Sequence, residues 1–89
     1  MITNAQIYMN TAEPFIKQGL GVTFFEGDYK GNPTMEIAVR ETFWVTFVLN
    51  NSGAIIQTHA SDYKKNKYEK LLIGDLYTII NEFVKKEWN

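Results

Sequence analysis

Residues 35–49 read MEIAVRETFWVTFVL, and this stretch decides the fold. Apolar residues occupy every second position, whereas a helix would place them three and four residues apart. No Gly, Pro, Asn or Asp interrupts the run. It therefore predicts one long, bent strand, with a tight corner at residues 40–42 as the alternative, because Glu41 breaks the apolar parity. The apolar face comprises Met35, Ile37, Val39, Phe43, Val45, Phe47 and Leu49.

A shorter strand is predicted on each side of this one. Residues 20–26 alternate in the same way, and residues 27–33 (GDYKGNP) concentrate turn formers, which indicates a long loop. The segment Asn50-Asn51-Ser52-Gly53 is a hairpin signal, because Asn and Gly accept the positive φ of short hairpin loops. Residues 54–60 are then the returning strand, with Leu49 expected to pair with Ala54.

A helix is predicted at each end of the chain. Residues 3–18 have apolar residues at helical spacing, but proline suits only a first turn, so Pro14 favours a short helix with Thr11 as its N-cap. Gly19 would follow in left-handed geometry. The long C-terminal helix carries Leu72, Leu76, Ile79, Ile80 and Phe83 at core spacing. We therefore predict a single α+β domain over residues 1–89, in which two helices flank a three-stranded antiparallel β-meander in the order α-β-β-β-α.

Composition narrows the classes of function. The 89 residues include nine basic and ten acidic side chains and no cysteine, so no global positive field attracts nucleic acid and no thiolate chemistry is available. No apolar run approaches the roughly 20 residues that span a bilayer, and we expect a cytoplasmic protein without a membrane partner. His59 is the only histidine, and its place near the cap residues Ser61 and Asp62 favours a structural role. We expect no cofactor, no metal and no enzymatic activity.

Apolar residues on the outer parity of the sheet suggest a protein interface. If both helices cover one face, Phe25, Trp44, Val48 and Ile55 point away from the core, and Val48 and Ile55 lie side by side. Tyr77 and Trp88 widen the apolar face of the C-terminal helix. These six residues predict binding to a partner protein or to a second copy, as a homodimer. The alternative is that a helix covers this face and the residues belong to the core.

A basic and aromatic segment near the C-terminal helix suggests a second class of partner. Lysines neutralise phosphates and rings stack on bases, so the segment is a candidate nucleic-acid site. The alternative interpretation is a solvated, lysine-rich helix entrance. The candidate residues are Tyr63, Lys64, Lys65, Lys67, Tyr68 and Lys70.

The element order, the hairpin Val48-Leu49-Asn50-Asn51-Ser52-Gly53 and a terminal helix reaching Trp88 resemble small phage-encoded inhibitors of host defence. That group includes anti-CRISPR proteins that bind Cas nucleases. The resemblance implies inhibition of a host protein by direct binding. Some of these inhibitors mimic DNA with dense acidic surfaces, and the near balance of acidic and basic residues here departs from that pattern.

Overall fold

The computed structural model describes residues 2–88 as two helices and one antiparallel sheet, which confirms the α+β class. The predicted number of three strands is wrong, because the sheet has five, in the order β1-β2-β3-β4-β5. Each strand pairs with its neighbour in sequence, so the sheet is a meander. The elements are α1 Asn4–Ile16, β1 Thr23–Tyr29, β2 Asn32–Val39, β3 Phe43–Leu49, β4 Ile55–Asp62, β5 Lys67–Tyr68 and α2 Ile73–Trp88.

The predicted long strand is two strands, β2 and β3, so the tight corner at residues 40–42 was the correct alternative. Arg40 takes a positive φ of 51°, which few residues other than glycine adopt. The backbone N–H of Thr42 donates to the carbonyl of Val39 at 3.0 Å, and the Thr42 hydroxyl donates to the same oxygen at 2.6 Å. The Thr42 side chain therefore helps to close the turn, although residues 40–42 include none of the residues that usually form turns.

The loop expected at residues 27–33 is instead a two-residue turn. Tyr29 pairs with Asn32, and only Lys30 and Gly31 lie between them, with φ values of 51° and 87°. Two positive values in succession are typical of the type I′ turn that joins tightly twisted hairpin strands. The strands β1 and β2 consequently run through the region predicted to be a loop, and β1 extends to Tyr29.

The hairpin at residues 50–53 is confirmed, but its register differs from the expectation. The Asn50 side-chain oxygen accepts hydrogen bonds from the backbone N–H groups of Ser52 and Ala54, each at 3.0 Å. A bulge between Val48 and Leu49 shifts the pairing, so that Leu49 lies opposite Ile55 rather than Ala54. Val48 consequently lies opposite Gln57, and the predicted neighbours Val48 and Ile55 are not side by side.

The helix α1 begins seven residues before the predicted start, at Asn4. Thr3 is its N-cap, and its side chain and that of Gln6 form a reciprocal capping box. Thr11 is therefore not a cap: it is buried within the helix, where its hydroxyl donates to the carbonyl of Ile7 at 2.7 Å. Pro14 lies in the last turn, and Gly19 has the predicted left-handed geometry, with φ of 77°.

Both helices pack on one face of the sheet, which we call the inner face. Phe15 of α1 and Phe83 of α2 each contact Phe43 of β3, with ring centroids 5.4 and 5.0 Å apart. The predicted helix residue Leu72 lies outside α2 and is 73% exposed. The buried residues that form the core are Phe15, Ile37, Val39, Phe43, Val45, Phe47, Ala60, Leu76, Ile80, Phe83 and Val84.

The opposite face of the sheet, the outer face, is concave. Adjacent strands lie about 4.8 Å apart, so a flat sheet would separate β1 from β4 by roughly 14 Å. The ring centroids of Tyr29 on β1 and His59 on β4 are nevertheless only 5.5 Å apart. The sheet must therefore coil and bring the end of β1 over the outer face.

Within residues 2–88, no helix combines the length and the apolar character needed to cross a membrane.

Candidate functional site

Three of the residues predicted for a protein interface, Phe25, Trp44 and Val48, lie on the outer face as expected. Phe25 is 42% exposed, and Trp44 is half-buried on β3. Val48 has the predicted parity, but it is only 1% exposed and offers little contact surface. The prediction for Ile55 is wrong in position, because the bulge places it opposite Leu49 and it packs against the helix-covered core.

Tyr77 and Trp88 lie on α2, away from the outer face. The Trp88 ring packs against Phe83 and Phe15, with centroids 5.4 and 6.3 Å apart, so it contributes to the core. Tyr77 lines a groove between α1 and α2, and its buried hydroxyl has no hydrogen-bond partner among residues 2–88. The six predicted interface residues are therefore divided among three parts of the molecule, and they do not form one patch.

The concavity of the outer face forms an open cleft of about 220 Å³, here called the outer-face cleft. Trp44, Thr46 and Ser61 contribute to its lining from the sheet, and Tyr29 contributes from the end of β1. Lys67, Tyr68 and Glu69 line it from the β5 segment. Sequence reasoning missed Tyr29, because its contribution depends on coiling of the sheet rather than on any local pattern.

His59 has a structural environment, as predicted. Its Nδ1 accepts a hydrogen bond from the backbone N–H of Lys70 at 3.3 Å, and its Nε2 lies 3.0 Å from the side-chain oxygen of Gln57. An accepting Nδ1 requires the neutral ring to carry its proton on Nε2, which can then donate to Gln57. Both ring nitrogens are thus occupied: the hydrogen bond from Lys70 joins β4 to the segment preceding α2, and the one to Gln57 lies within β4.

The basic and aromatic segment is a loop and a short strand, so its interpretation as a helix entrance is wrong. The helix α2 begins only at Ile73. Buried Asp62 organises the loop: its carboxylate accepts hydrogen bonds from the backbone N–H groups of Lys64 and Asn66, at 2.9 and 3.1 Å, and from the Asn66 side chain at 3.0 Å. This loop separates the candidate nucleic-acid residues into two groups.

Tyr63 and Lys64 interact with α2 through Glu87. The Tyr63 hydroxyl donates to Glu87 Oε1 at 2.7 Å, and Lys64 Nζ lies 2.8 Å from the same oxygen. The hydrogen bonds from Lys64 and then Tyr63 lower the pKa of Glu87, and those with Glu87 raise the pKa of both partners. Lys67 instead lines the outer-face cleft. Tyr68 borders that cleft, but it lies opposite the core residue Ala60 and packs against the core, so the six predicted residues do not act as one surface.

The strand β1 is one edge of the sheet, and its free side is here called the β1 edge. In a two-residue hairpin the closing residues, Tyr29 and Asn32, exchange backbone hydrogen bonds with each other. Alternation along β1 then directs the N–H and C=O groups of Phe25 and Gly27 toward β2. Those of Phe24, Glu26 and Asp28 point outward, and no strand within residues 2–88 pairs with them.

The β1 edge is long and carries apolar side chains on both faces. β1 has seven residues, whereas the opposite edge strand, β5, has two. Phe24 on the inner face is 39% exposed, and Phe25 on the outer face is 42% exposed. Neither proline nor lysine, which commonly protect edges, occurs within Thr23–Tyr29. Sequence reasoning identified Phe25 but missed the edge, because the edge is defined only once the order of all five strands is known.

Gly27 allows the β1 strand to lie close to the side chains of β2. A Cβ atom at this position would collide with the carboxylate of Glu36 and lie 3.0 Å from the hydroxyl of Thr34. These two β2 side chains are hydrogen-bonded to each other at 3.1 Å. The hairpin therefore tolerates glycine alone at this point without a shift of the Thr34–Glu36 pair.

Among residues 2–88, no group of three or more His, Cys, Asp or Glu side chains is arranged to hold a metal ion. Comparison of the chain with models of protein families, with curated proteins and with solved structures gives no match.

Proposed function

We propose that this chain is a small, non-enzymatic protein-binding module that binds an extended strand of a partner protein along the β1 edge. The observation that carries the proposal is the row of outward N–H and C=O groups on β1, with exposed rings on both sides of the strand. An added strand would satisfy those groups, and Phe24 and Phe25 would then pack against its side chains.

The composition of the edge favours strand addition over binding through a flat surface. Phe24 and Phe25 lie on opposite faces, so no flat partner surface could contact both rings, whereas a paired strand has side chains on both faces. Glu26 and Asp28 carry negative charge along this edge, which disfavours any pairing that sets a carboxylate of the partner strand directly opposite either of them. The absence of cysteine agrees with action in a reducing cytoplasm, and inhibition of a host protein would be one instance of such binding.

A proline substitution at an outward position tests the proposal. Glu26→Pro removes an N–H that β2 does not use, so the fold should persist while the edge can no longer pair fully. Glu26→Gln is the matched control, because it removes the charge and keeps the N–H. We expect immobilised wild type and Glu26→Gln to capture the same proteins, and Glu26→Pro to lose them. Amide hydrogen exchange of Phe24, Glu26 and Asp28 should slow in the captured complex. Equal capture by the proline variant would contradict strand addition.

A second candidate function is binding of single-stranded nucleic acid at the outer-face cleft. The observation that favours it is that Lys67 lines the same cleft as Trp44 and Tyr29. The two rings offer stacking surfaces, and the ammonium group could contact a phosphate. At about 220 Å³ the cleft is smaller than the usual pocket for a whole cofactor, so it suits a single ring.

Tryptophan fluorescence tests this candidate directly. The chain has two tryptophans, so Trp88→Phe leaves Trp44 as the only reporter within the cleft. Oligothymidylate and oligouridylate should quench that fluorescence, with an affinity that falls steeply with salt. Lys67→Gln should weaken binding, whereas Lys85→Gln on α2 should not. Unchanged fluorescence at low salt with both oligonucleotides would exclude the cleft as a nucleic-acid site.

A further inference from the structure

The register of β1 restricts how two copies of this chain could pair. In an antiparallel ladder, residues whose N–H and C=O groups point toward the partner must face residues of the same kind. Phe24, Glu26 and Asp28 must therefore face residues of this outward set on a second copy. Two-fold symmetric pairing then places one residue opposite itself, and the choice of that residue defines the register.

Charge distinguishes the possible registers. If Glu26 is the residue opposite itself, the two β1 strands overlap over the whole of Thr23–Tyr29, which is the longest overlap. The two Glu26 carboxylates then face each other, which is destabilising. Centring the pair on Gly27 sets Glu26 opposite Asp28, which is equally unfavourable. Centring it on Phe25 sets Glu26 opposite Phe24 and Thr23 opposite Gly27, so no carboxylate directly faces another. A centre at Phe24 avoids the same repulsion but leaves a shorter overlap.

The Phe25-centred register also uses the exposed rings. Phe25 would face its own copy at a non-hydrogen-bonded position, where side chains across antiparallel strands are closest. The two rings would meet on the outer face, where the helices α1 and α2 do not reach, and each is 42% exposed in the free chain. Cross-strand aromatic pairs of this kind stabilise antiparallel sheets.

From this geometry we infer that the partner strand at the β1 edge is the β1 strand of a second copy, in a two-fold symmetric pair centred on Phe25. The inference rests on the proposed function, since it names the partner for the same edge. It predicts a homodimer with one continuous sheet of ten strands and all four helices on the same side. The carboxylates of Glu26 then lie beside the rings of Phe24 from the other copy.

Single-cysteine variants can measure this register, because the chain has no cysteine of its own. Opposite residues at a non-hydrogen-bonded position have Cα atoms about 4.5 Å apart, within the range for a disulfide. The two copies of Phe24, or of Glu26, would be offset by two residues and roughly 8–9 Å apart, which exceeds that range. Phe25→Cys should therefore form a covalent dimer under mild oxidation, whereas Phe24→Cys, which keeps both carboxylates of β1, should form at least about tenfold less.

Sedimentation of the cysteine-free chain completes the test and separates this inference from the proposed function. We expect wild type to sediment as a dimer, Phe25→Ser to dissociate at least about tenfold more readily, and Glu26→Pro to be monomeric. Circular dichroism checks that each variant is folded. Faster cross-linking of Phe24→Cys than of Phe25→Cys would overturn the register, and a wild-type monomer at all concentrations would overturn self-pairing. If the monomer still captures other proteins in a way that Glu26→Pro abolishes, the proposed function stands without the homodimer.

Discussion

A pair of proline substitutions on β1 provides a stringent prediction, because the two sites are adjacent but differ in the direction of their N–H groups. Phe25→Pro removes an N–H that bonds to β2 and leaves a Glu36 carbonyl without its donor. The loss of a ladder bond and the cost of an unsatisfied acceptor together amount to about 2–4 kcal/mol. Glu26→Pro removes only an outward N–H, so we expect a loss of about 1 kcal/mol or less from backbone strain.

These free energies correspond to measurable differences in thermal stability. For a domain of this length, 1 kcal/mol shifts the Tm by roughly 4–8 °C. We therefore expect Phe25→Pro to lower the Tm by roughly 10–30 °C and Glu26→Pro to lower it by less than about 8 °C, as followed by circular dichroism. Phe25→Thr and Glu26→Gln measure the side-chain contribution at each site. Equal losses for the two proline variants would refute the assignment of Glu26 to the free side of the strand.

Two further predictions concern the segment between β4 and α2. Asp62→Ala removes three accepted hydrogen bonds and should lower the free energy of unfolding, measured by urea denaturation, by about 2–4 kcal/mol. Asp75→Ala on α2 is the control and should have a much smaller effect. Similar losses for the two variants would contradict the role of Asp62 in the loop. In an NMR titration, the pKa of Glu87 should lie below its ordinary value of 4.5 and rise toward it in Lys64→Gln, but much less in Lys85→Gln. Because folding lowers this pKa, the contribution of Glu87 to stability is present above pH 4.5 and is lost as the pH falls through the lowered value. A Glu87 pKa that does not change in Lys64→Gln would contradict the ion pair.

The alternation in residues 35–49 predicted the inner face correctly, because a period of two is independent of where turns fall. Ile37, Val39, Phe43, Val45 and Phe47 are all buried in the core. Patterning could not show that the run is two strands, because the corner depends on an arginine with positive φ. For the same reason, a long loop was predicted at residues 27–33 instead of a two-residue turn. Lys30 takes the conformation usually assigned to Asn or Gly.

The interface was harder to predict than the core, because it depends on sheet geometry. Alternation placed Phe25 and Trp44 on the outer face, but a bulge after Val48 moved Ile55 to the other face. A bulge changes register without a distinctive sequence signal, so the returning strand could not be aligned from the hairpin alone. The cleft needs coiling that brings Tyr29 to β4, and the edge needs the full strand order, neither of which is a local property.

The most direct test of strand addition at the β1 edge is residue-resolved amide hydrogen exchange of β1 in the free chain and in its complex. In the free chain at low concentration, Phe25 and Gly27 should exchange slowly and Phe24, Glu26 and Asp28 rapidly, following the alternation of hydrogen bonds with β2. In the homodimer, Phe24 and Glu26 should become protected, whereas Asp28 lies beyond the paired part of β1. In a complex with a captured protein, all three residues should become protected and the alternation should disappear. Rapid exchange of Phe24, Glu26 and Asp28 in every complex that the chain forms would contradict the account.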